Sequence, residues 1–330
     1  MDSVTVSINI ITYGIPDFVE YTLSSLIKAG VPKGIPIRLF EDKHLDYKIA
    51  GDMSSKYKKL CDKYGVEYYR TPVWGCCQGT AQYATIRSPE DWIILLGDDV
   101  LIKKGAPESW IDRIINKYDK SSAGLIGLSW WESSDLIRKG IINDRKDILQ
   151  EGFLDNVIDN PSWEIPEKLY INVHGSGFAM RRKMWEEVGG FSQNTWVWDE
   201  DISFRCWMFS RYNIFTAPGP SMIHYGGQST QTISSNDTVE LNNPRSLAVR
   251  ATFGNGAAWE RSWGYDKSVT SRILYMVMNE AAKNGMTLDV CELRNKPMAD
   301  KIKDWRKASE LYEKLTGLWF RTNDIETLGV

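Results

Sequence analysis

Val4, Val6, Ile8 and Ile10 alternate with Thr5, Ser7 and Asn9, which predicts a β-strand ending near Thr12-Tyr13-Gly14. Pro16 then opens a helix with an apolar stripe at Val19, Leu23, Leu26 and Ile27, closed by Gly30. Ile35, Ile37 and Leu39 form a second strand ending at Glu41-Asp42, and Ile49, Met53, Tyr57, Leu60 and Tyr64 are spaced as one helix face. A short strand over Val66–Arg70 follows. A Gly-containing loop from Trp74 to Gly79 then leads to a helix through Ala84, and a buried strand covers 91–97. This alternation of strand and helix predicts a parallel sheet covered by helices on both faces.

Beyond it the pattern predicts a helix over about 107–118, a strand over Ala123–Trp131 and a polar, irregular excursion over 132–167 that could act as a lid or acceptor loop. Strand character returns over Leu169–Met180. A short helix over Lys183–Val188 stops at Gly189-Gly190, a helix runs from about Asp199 to Arg211, and a strand lies near Ile214–Ala217. Residues 226–265, rich in Gly, Ser, Asn and Thr, read as loops, and two helices, roughly 267–284 and 298–316, close the chain.

The most informative stretch is DWIILLGDDVLI, residues 91–102. Four apolar residues run straight into Gly97, Asp98 and Asp99. Two adjacent carboxylates at the C-terminal end of a buried strand repel one another unless a cation sits between them and a ligand. That edge is where open α/β sheets bind ligands. A hard divalent ion holding a diphosphate is one reading; a plain turn after a strand is the other. A second acidic cluster, Asp199-Glu200-Asp201, follows Trp196-Val197-Trp198 at the start of a helix. Helix dipoles favour such acids, but three in succession exceed what capping needs, and one is a candidate general base toward a hydroxyl. His224 follows a strand and a Pro-Gly turn, and a neutral imidazole there could complete a metal site begun by Asp99.

Composition removes several classes. With 42% hydrophobic and 25% charged residues the 330-residue chain reads as an ordinary globular protein of one large or two small domains. A net charge of −3 gives no overall basic field toward nucleic acid. No apolar run approaches the roughly 20 residues that span a bilayer, and Met1-Asp2-Ser3 gives no sign of a signal peptide. Five irregularly spaced cysteines, two of them adjacent at Cys76 and Cys77, point to a reducing compartment, so a cytoplasmic location is expected. The sequon at Asn236 then carries no weight. Fourteen tryptophans suit packing or sugar- and base-stacking platforms. Lys301, Lys303, Arg306 and Lys307 interleave with Asp300, Asp304 and Glu310, as on a solvated helix.

In order and spacing these motifs resemble nucleotide-sugar glycosyltransferases of the GT-A fold, family 2-like, with a galactosyltransferase-type C-terminal segment. Asp98-Asp99 is similar to the DXD motif, with Gly97 where many members carry the first acid. Gly175-Ser176-Gly177-Phe178 through Gly189-Gly190-Phe191, then Asp199-x-Asp201-Ile202-x-x-Arg205, resemble the acceptor-side segment. The resemblance covers about residues 4–228. It implies a GT-A catalytic domain over 1–228, with a nucleotide-sugar half to about 131 and an acceptor half from 132, followed by a loop and helical extension over 229–330. It implies Mn²⁺ or Mg²⁺ on Asp99 and His224, Asp98 facing ribose or diphosphate, and Thr12, Tyr13, Glu41 and Asp42 holding the nucleotide. Asp199 takes the place of the catalytic base, with Asp201 second, and Trp198 replaces an acid that contacts the acceptor. The implied reaction moves a sugar from a nucleoside-diphosphate donor of UDP type to a hydroxyl. The acceptor is a glycan, a small molecule, or a hydroxymethylated base in DNA as in some phage enzymes, so a viral source is an option. A nucleotidyltransferase is a rival, but Thr12-Tyr13-Gly14-Ile15-Pro16 lacks the basic residues such a loop wants. A non-catalytic carbohydrate-binding protein is another.

Overall fold

A computed structural model describes residues 4–226 except 14, 43–46, 73–75, 151–152, 154–167, 170–172, 192–197, 211 and 218–220. The loops and two helices expected beyond 226, and the domain boundary at 228, lie outside the described residues.

The molecule is α/β. Strands β1 (Val6–Thr12), β2 (Ile37–Glu41), β3 (Glu67–Arg70) and β4 (Trp92–Leu96) alternate with helices α1 (Pro16–Lys28), α2 (Tyr47–Tyr64) and α3 (Cys76–Arg87). Next come β5 (Val100–Ile102) and a helix, α4, built of Ala106–Ser109, a π turn Trp110–Ile115 and Asn116–Asp119. They are followed by β6 (Ala123–Gly127), β7 (Trp130–Glu132), α5 (Ser133–Arg138) and a 3₁₀ turn Arg145–Leu149. Strands β8 (Lys168–Leu169) and β9 (Gly177–Arg181), helices α6 (Arg182–Glu187) and α7 (Trp198–Phe209), and strands β10 (Asn213–Thr216) and β11 (Met222–His224) complete it. The main sheet has the order β3-β2-β1-β4-β9-β6-β10-β8. The β1–β2, β2–β3, β1–β4 and β6–β10 pairs are parallel; β9 runs antiparallel to both β4 and β6, and β8 to β10.

Burial on both faces follows from side-chain alternation. Ile8, Ile10, Trp92, Ile94 and Leu96 pack with Val19, Leu23 and Leu26 of α1, with Tyr57 and Cys61 of α2 and with Trp110 of α4. Ile11, Ile93 and Leu95 face the other way, onto Ala81 and Ala84 of α3, Met184 of α6 and Ile202 and Cys206 of α7. All five β4 side chains are fully buried; at about 1.5–3 kcal/mol for each large apolar side chain this strand anchors the sheet. Ile27, placed in the buried stripe by the pattern, is exposed: the α1 face in contact is Val19, Thr22, Leu23 and Leu26.

Three expectations are corrected. The strand over Ala123–Trp131 is two strands in different sheets. Leu128 N donates to Gly177 O (3.1 Å) and Ser129 hydrogen-bonds Ala217 and Ser221 instead, so the chain changes sheets there. The strand over Leu169–Met180 is also two, β8 and β9, separated by a turn in which Gly177 N donates to His174 O (3.1 Å). Gly79 lies inside α3, not in the loop before it. The excursion after 132 holds α5 and the 3₁₀ turn, whose Ile148 and Leu136 pack under Leu101, Ile223 and Tyr225. That cluster supports a small second sheet, β5-β11-β7, which the periodicity did not predict. His224, downstream of β10 as expected, is itself the last residue of β11, and it pairs with Val100 on one side and Glu132 on the other.

Candidate functional site

The acids sit where the main sheet meets the small one. β4 ends at Leu96, and the chain turns through Gly97-Asp98-Asp99 into β5. Alternation splits the two acids. Asp98 points back toward β1: its Oδ2 accepts from Thr12 Oγ1 (2.7 Å) and from Tyr13 N (3.2 Å). Burial, then the adjacent Asp99 charge, push the Asp98 carboxyl well above the usual carboxylate range, against those two hydrogen bonds. Thr12 Oγ1 lies 3.2 Å from the Tyr57 hydroxyl, which also accepts from Ile15 N (2.9 Å). Thr22 of α1 clamps the turn: its hydroxyl donates to Asp98 O (2.8 Å) and accepts from Val100 N (3.2 Å). Asp98 is therefore tied through Oδ2 to the end of β1.

Asp99 points forward to β11. Its Oδ1 lies 3.2 Å from His224 Nε2, while Tyr225 N donates to Asp99 O (2.8 Å). His224 Nδ1 in turn donates to Glu132 Oε1 (2.6 Å), which also accepts from Trp130 Nε1 (2.9 Å). Burial lowers the His224 pKa, but the hydrogen bonds to Asp99 and Glu132 and their charges outweigh it and raise it to about 10. The ring thus lies between two carboxylates, Asp99 at Nε2 and Glu132 at Nδ1, that favour its charged form.

The turn between β8 and β9 joins this edge to the second acidic cluster. Gly97 N donates to Ser176 O (3.1 Å), and Gly175 N donates to Asp199 Oδ2 (2.8 Å). A Cβ on Gly97 would lie 3.4 Å from Asp99 Oδ1 and 3.5 Å from Gly175 O. Both are ordinary contacts, so a side chain would fit at 97, but it would start beside two oxygens. A Cβ on Gly175 would lie 3.1 Å from Trp198 Nε1 and 3.4 Å from Asp199 Oδ2. Asp199 is in the first turn of α7 and half-buried. Asp201 is one of the helical residues of α7. His174 stacks on Trp130 (4.3 Å between ring centres, 16° between planes) and stands edge-on to His224 (5.4 Å, 70°). Burial lowers its pKa, against the pull of Asp199.

Glu41 and Asp42 lie at the β2 end. Both Glu41 oxygens are hydrogen-bonded to Ser54 (2.9 and 2.8 Å), Tyr68 donates to one of them, and Arg70 Nε is 3.9 Å away. The carboxylate is buried among its own partners. Asp42 accepts from Thr71 (3.2 Å), and its N donates to Thr12 O (2.9 Å). The structure thus brings Thr12, Tyr13, Asp98, Asp99 and His224 together at one edge, links Asp199 to it through Gly175, and keeps Glu41 in the framework. Sequence reasoning missed Glu132 and His174. A signal existed in each case: a carboxylate right after a Trp-Trp pair, and a His directly before Gly-Ser-Gly.

The donor set fits a divalent ion. Asp99 Oδ1 and His224 Nε2 are separated by about the 3 Å that adjacent ligands of an octahedral ion at 2.0–2.1 Å would show. Glu132, His174 and His224 also place donor atoms within 4.8 Å of one another. Mixed carboxylate and imidazole ligands suit Mn²⁺ at least as well as Mg²⁺. No helix among the described residues is long and apolar enough to cross a membrane.

No protein-family model and no curated protein matches the sequence. Among solved structures, the mannosyltransferase PcManGT from Pyrobaculum calidifontis, in complex with GDP-Man and Mn²⁺, is similar over 96% of this chain and 88% of its own, with TM-score 0.50 and 13% identity. GalNAc-T7 with UDP, GalNAc and Mn²⁺ is similar over 68% of this chain and 44% of its own (TM-score 0.46, 13% identity). S. aureus TarS is similar over 94% and 49% (TM-score 0.45, 12% identity). This chain therefore spans less than half the length of the last two. At such identities the likeness is one of fold: the chain has the GT-A glycosyltransferase architecture.

Proposed function

We propose that the protein is a metal-dependent glycosyltransferase that moves a sugar from a nucleoside-diphosphate donor, UDP-type, to an acceptor hydroxyl. One observation carries the reading: Asp99 Oδ1 and His224 Nε2 converge to 3.2 Å at the ligand-binding edge of a GT-A sheet. The turn 174–177 links this pair to Asp199. Asp99 and His224 would hold the Mn²⁺ or Mg²⁺, with Glu132 orienting His224. When bound, the ion supplies positive charge to the diphosphate as it leaves.

The chain's own residues do the rest. Asp199, fixed through Gly175 N, takes the proton of the acceptor hydroxyl as its oxygen bonds to the anomeric carbon. The bond from that carbon to the diphosphate oxygen breaks, and its electron pair leaves with the diphosphate. This describes an inverting reaction; in a retaining one Asp199 positions the acceptor hydroxyl instead. Asp201 is the second candidate for the base. Tyr13 and Asp42, just past the β1 and β2 ends, contact the nucleotide, and Thr12, Glu41 and Asp98 shape its pocket from behind. The acceptor hydroxyl belongs to a glycan, a small molecule or a hydroxymethylated DNA base, and residues 229–330 contribute to acceptor binding or oligomerisation.

The test is nucleoside-diphosphate release from a panel of UDP- and GDP-sugars with Mn²⁺, with and without EDTA, for wild type, Asp99→Asn and Asp199→Asn. Release that needs metal and Asp99 supports the reading. Release by Asp99→Asn at the wild-type rate refutes the metal assignment. No release and no nucleotide binding by calorimetry would favour a binding protein instead.

A further inference from the structure

His174 is close enough to the metal-site residues to look like another ligand, yet its hydrogen bonds say otherwise. Ser176 N donates to His174 Nδ1 (3.1 Å), and the Ser176 hydroxyl lies 2.9 Å from the same nitrogen. A backbone N–H can only donate, so Nδ1 must present its lone pair. In the neutral ring the single hydrogen then sits on Nε2. A nitrogen that carries a hydrogen cannot ligate a metal. Its neighbours leave that hydrogen without a partner: Asp99 and Glu132 are bonded to His224, and Asp199 Oδ2 accepts from Gly175 N. Among the described residues no acceptor is hydrogen-bonded to Nε2. The stack on Trp130 fixes the plane of the ring, so the donor is held in place before any ligand arrives.

We propose that His174 is a fixed N–H donor to the departing diphosphate of the nucleotide sugar, and not a third metal ligand. This rests on the transferase reading above. The His174 ring stands 5.4 Å, centre to centre, from that of His224, so a diphosphate oxygen held by a cation on Asp99 and His224 would lie beside it. A donor that begins unpaired and gains an anionic acceptor as the glycosidic bond breaks stabilises the leaving group where its charge develops.

His174→Phe keeps the ring on Trp130 and removes the N–H; His174→Gln restores a donor. Calorimetry with Mn²⁺ alone, and with UDP, UMP, GDP and GMP at saturating Mn²⁺, separates the roles. In His174→Phe, Mn²⁺ affinity is expected to stay within twofold. Diphosphate affinity should fall roughly ten- to a hundredfold, as for loss of one hydrogen bond to a charged group. Monophosphate affinity should hold, and His174→Gln should recover most of the loss. A parallel loss of Mn²⁺ affinity would make His174 a ligand and overturn the proposal, as would equal losses for mono- and diphosphates or no loss at all. ¹⁵N-histidine spectra of the wild type, which need no variant to fold, should show the Nε2–H tautomer and a shift of Nε2 on adding UDP with diamagnetic Mg²⁺. An Nδ1–H tautomer overturns the proposal. Wild type that binds Mn²⁺ but none of the nucleotides overturns the transferase reading and this one together, a result distinct from the others.

Discussion

Replacing Glu132 by Gln tests the orienting role of a residue that neither ends a motif nor touches Asp99. Its Oε1 accepts at 2.6 Å from His224 Nδ1 and at 2.9 Å from Trp130 Nε1. Gln preserves the shape and an acceptor oxygen but removes the charge. A hydrogen bond to an ionised partner is worth about 1.5–3 kcal/mol and a neutral one about 0.5–1.5, so about 1–1.5 kcal/mol is lost. The Glu132 side chain is 29% exposed, and solvent screening places the loss at the lower end of that range. At 1.4 kcal/mol per decade, about 1 kcal/mol corresponds to about a fivefold weaker hold on the ion, just under the 10–100-fold range for partners that orient metal-ligating histidines. The assay is a Mn²⁺ titration followed by electron paramagnetic resonance of the free ion, with thermal melting to show that the fold persists. Glu132→Ala leaves two donors unpaired and should cost more. Mn²⁺ affinity within twofold of wild type for Glu132→Gln refutes the orienting role. A loss beyond about a thousandfold, well past that range, would make Glu132 a ligand itself.

Arg38→Ala should cost about 3–5 kcal/mol of stability in urea unfolding, because it strips the two-pronged partner from Glu90, whose side chain is only 11% exposed. Burial opposes ionisation of Glu90, but the Arg38 hydrogen bonds outweigh it and hold its pKa below the usual value. A folded pKa below the unfolded one gives stability that is present at neutral pH and is lost as pH falls through the folded value. Wild type should therefore lose stability more steeply below about pH 4 than Glu90→Gln does, and parallel acid limbs would contradict this. Gly124→Ala would place a Cβ 2.5 Å from Tyr212 Cβ and 2.7 Å from Met184 Cγ; about 1–3 kcal/mol of destabilisation should appear as a lower Tm. Cys61 is fully buried and its thiol is pushed up to about 12, first by burial and then by Asp62, so mass spectrometry after brief alkylation at pH 8 should find it unmodified until the protein unfolds.

The first four strands and three helices were legible because each buries one face or both in a regular period, as Ile8, Ile10, Val19 and Leu23 do. The antiparallel β9 was not, because Gly177–Arg181 is buried on both sides and a fully buried strand carries no sign of its direction. The small sheet escaped because its strands have three residues each, too few to show a period. Within the site, Asp98, Asp99, Asp199 and His224 stood out by residue type and order. Glu132 and His174 did not, since pairing of β7 with β11 and the turn before β9 bring them there from distant parts of the chain.

The different surroundings of Asp98 and Asp99 follow from which element faces each acid. Asp98 uses its carboxylate on Thr12 and Tyr13, and its carbonyl on Thr22, so it ties the end of β4 to the end of β1 and to the middle of α1. That tie fixes the backbone from which Asp99 emerges in the opposite direction, toward His224. The hydrogen bonds from Thr12 and Tyr13 ease the charge on Asp98 without cancelling it, since burial and Asp99 still raise its pKa, so a cation at Asp99 would relieve both acids. The repulsion between two adjacent carboxylates is eased, not abolished, by two different elements, β1 for one and β11 with its Glu132–His224 pair for the other. A first acid at 97 would start its side chain beside Asp99 Oδ1 and Gly175 O and add a third carboxylate to this edge, whereas glycine leaves Asp99 as the forward-facing acid.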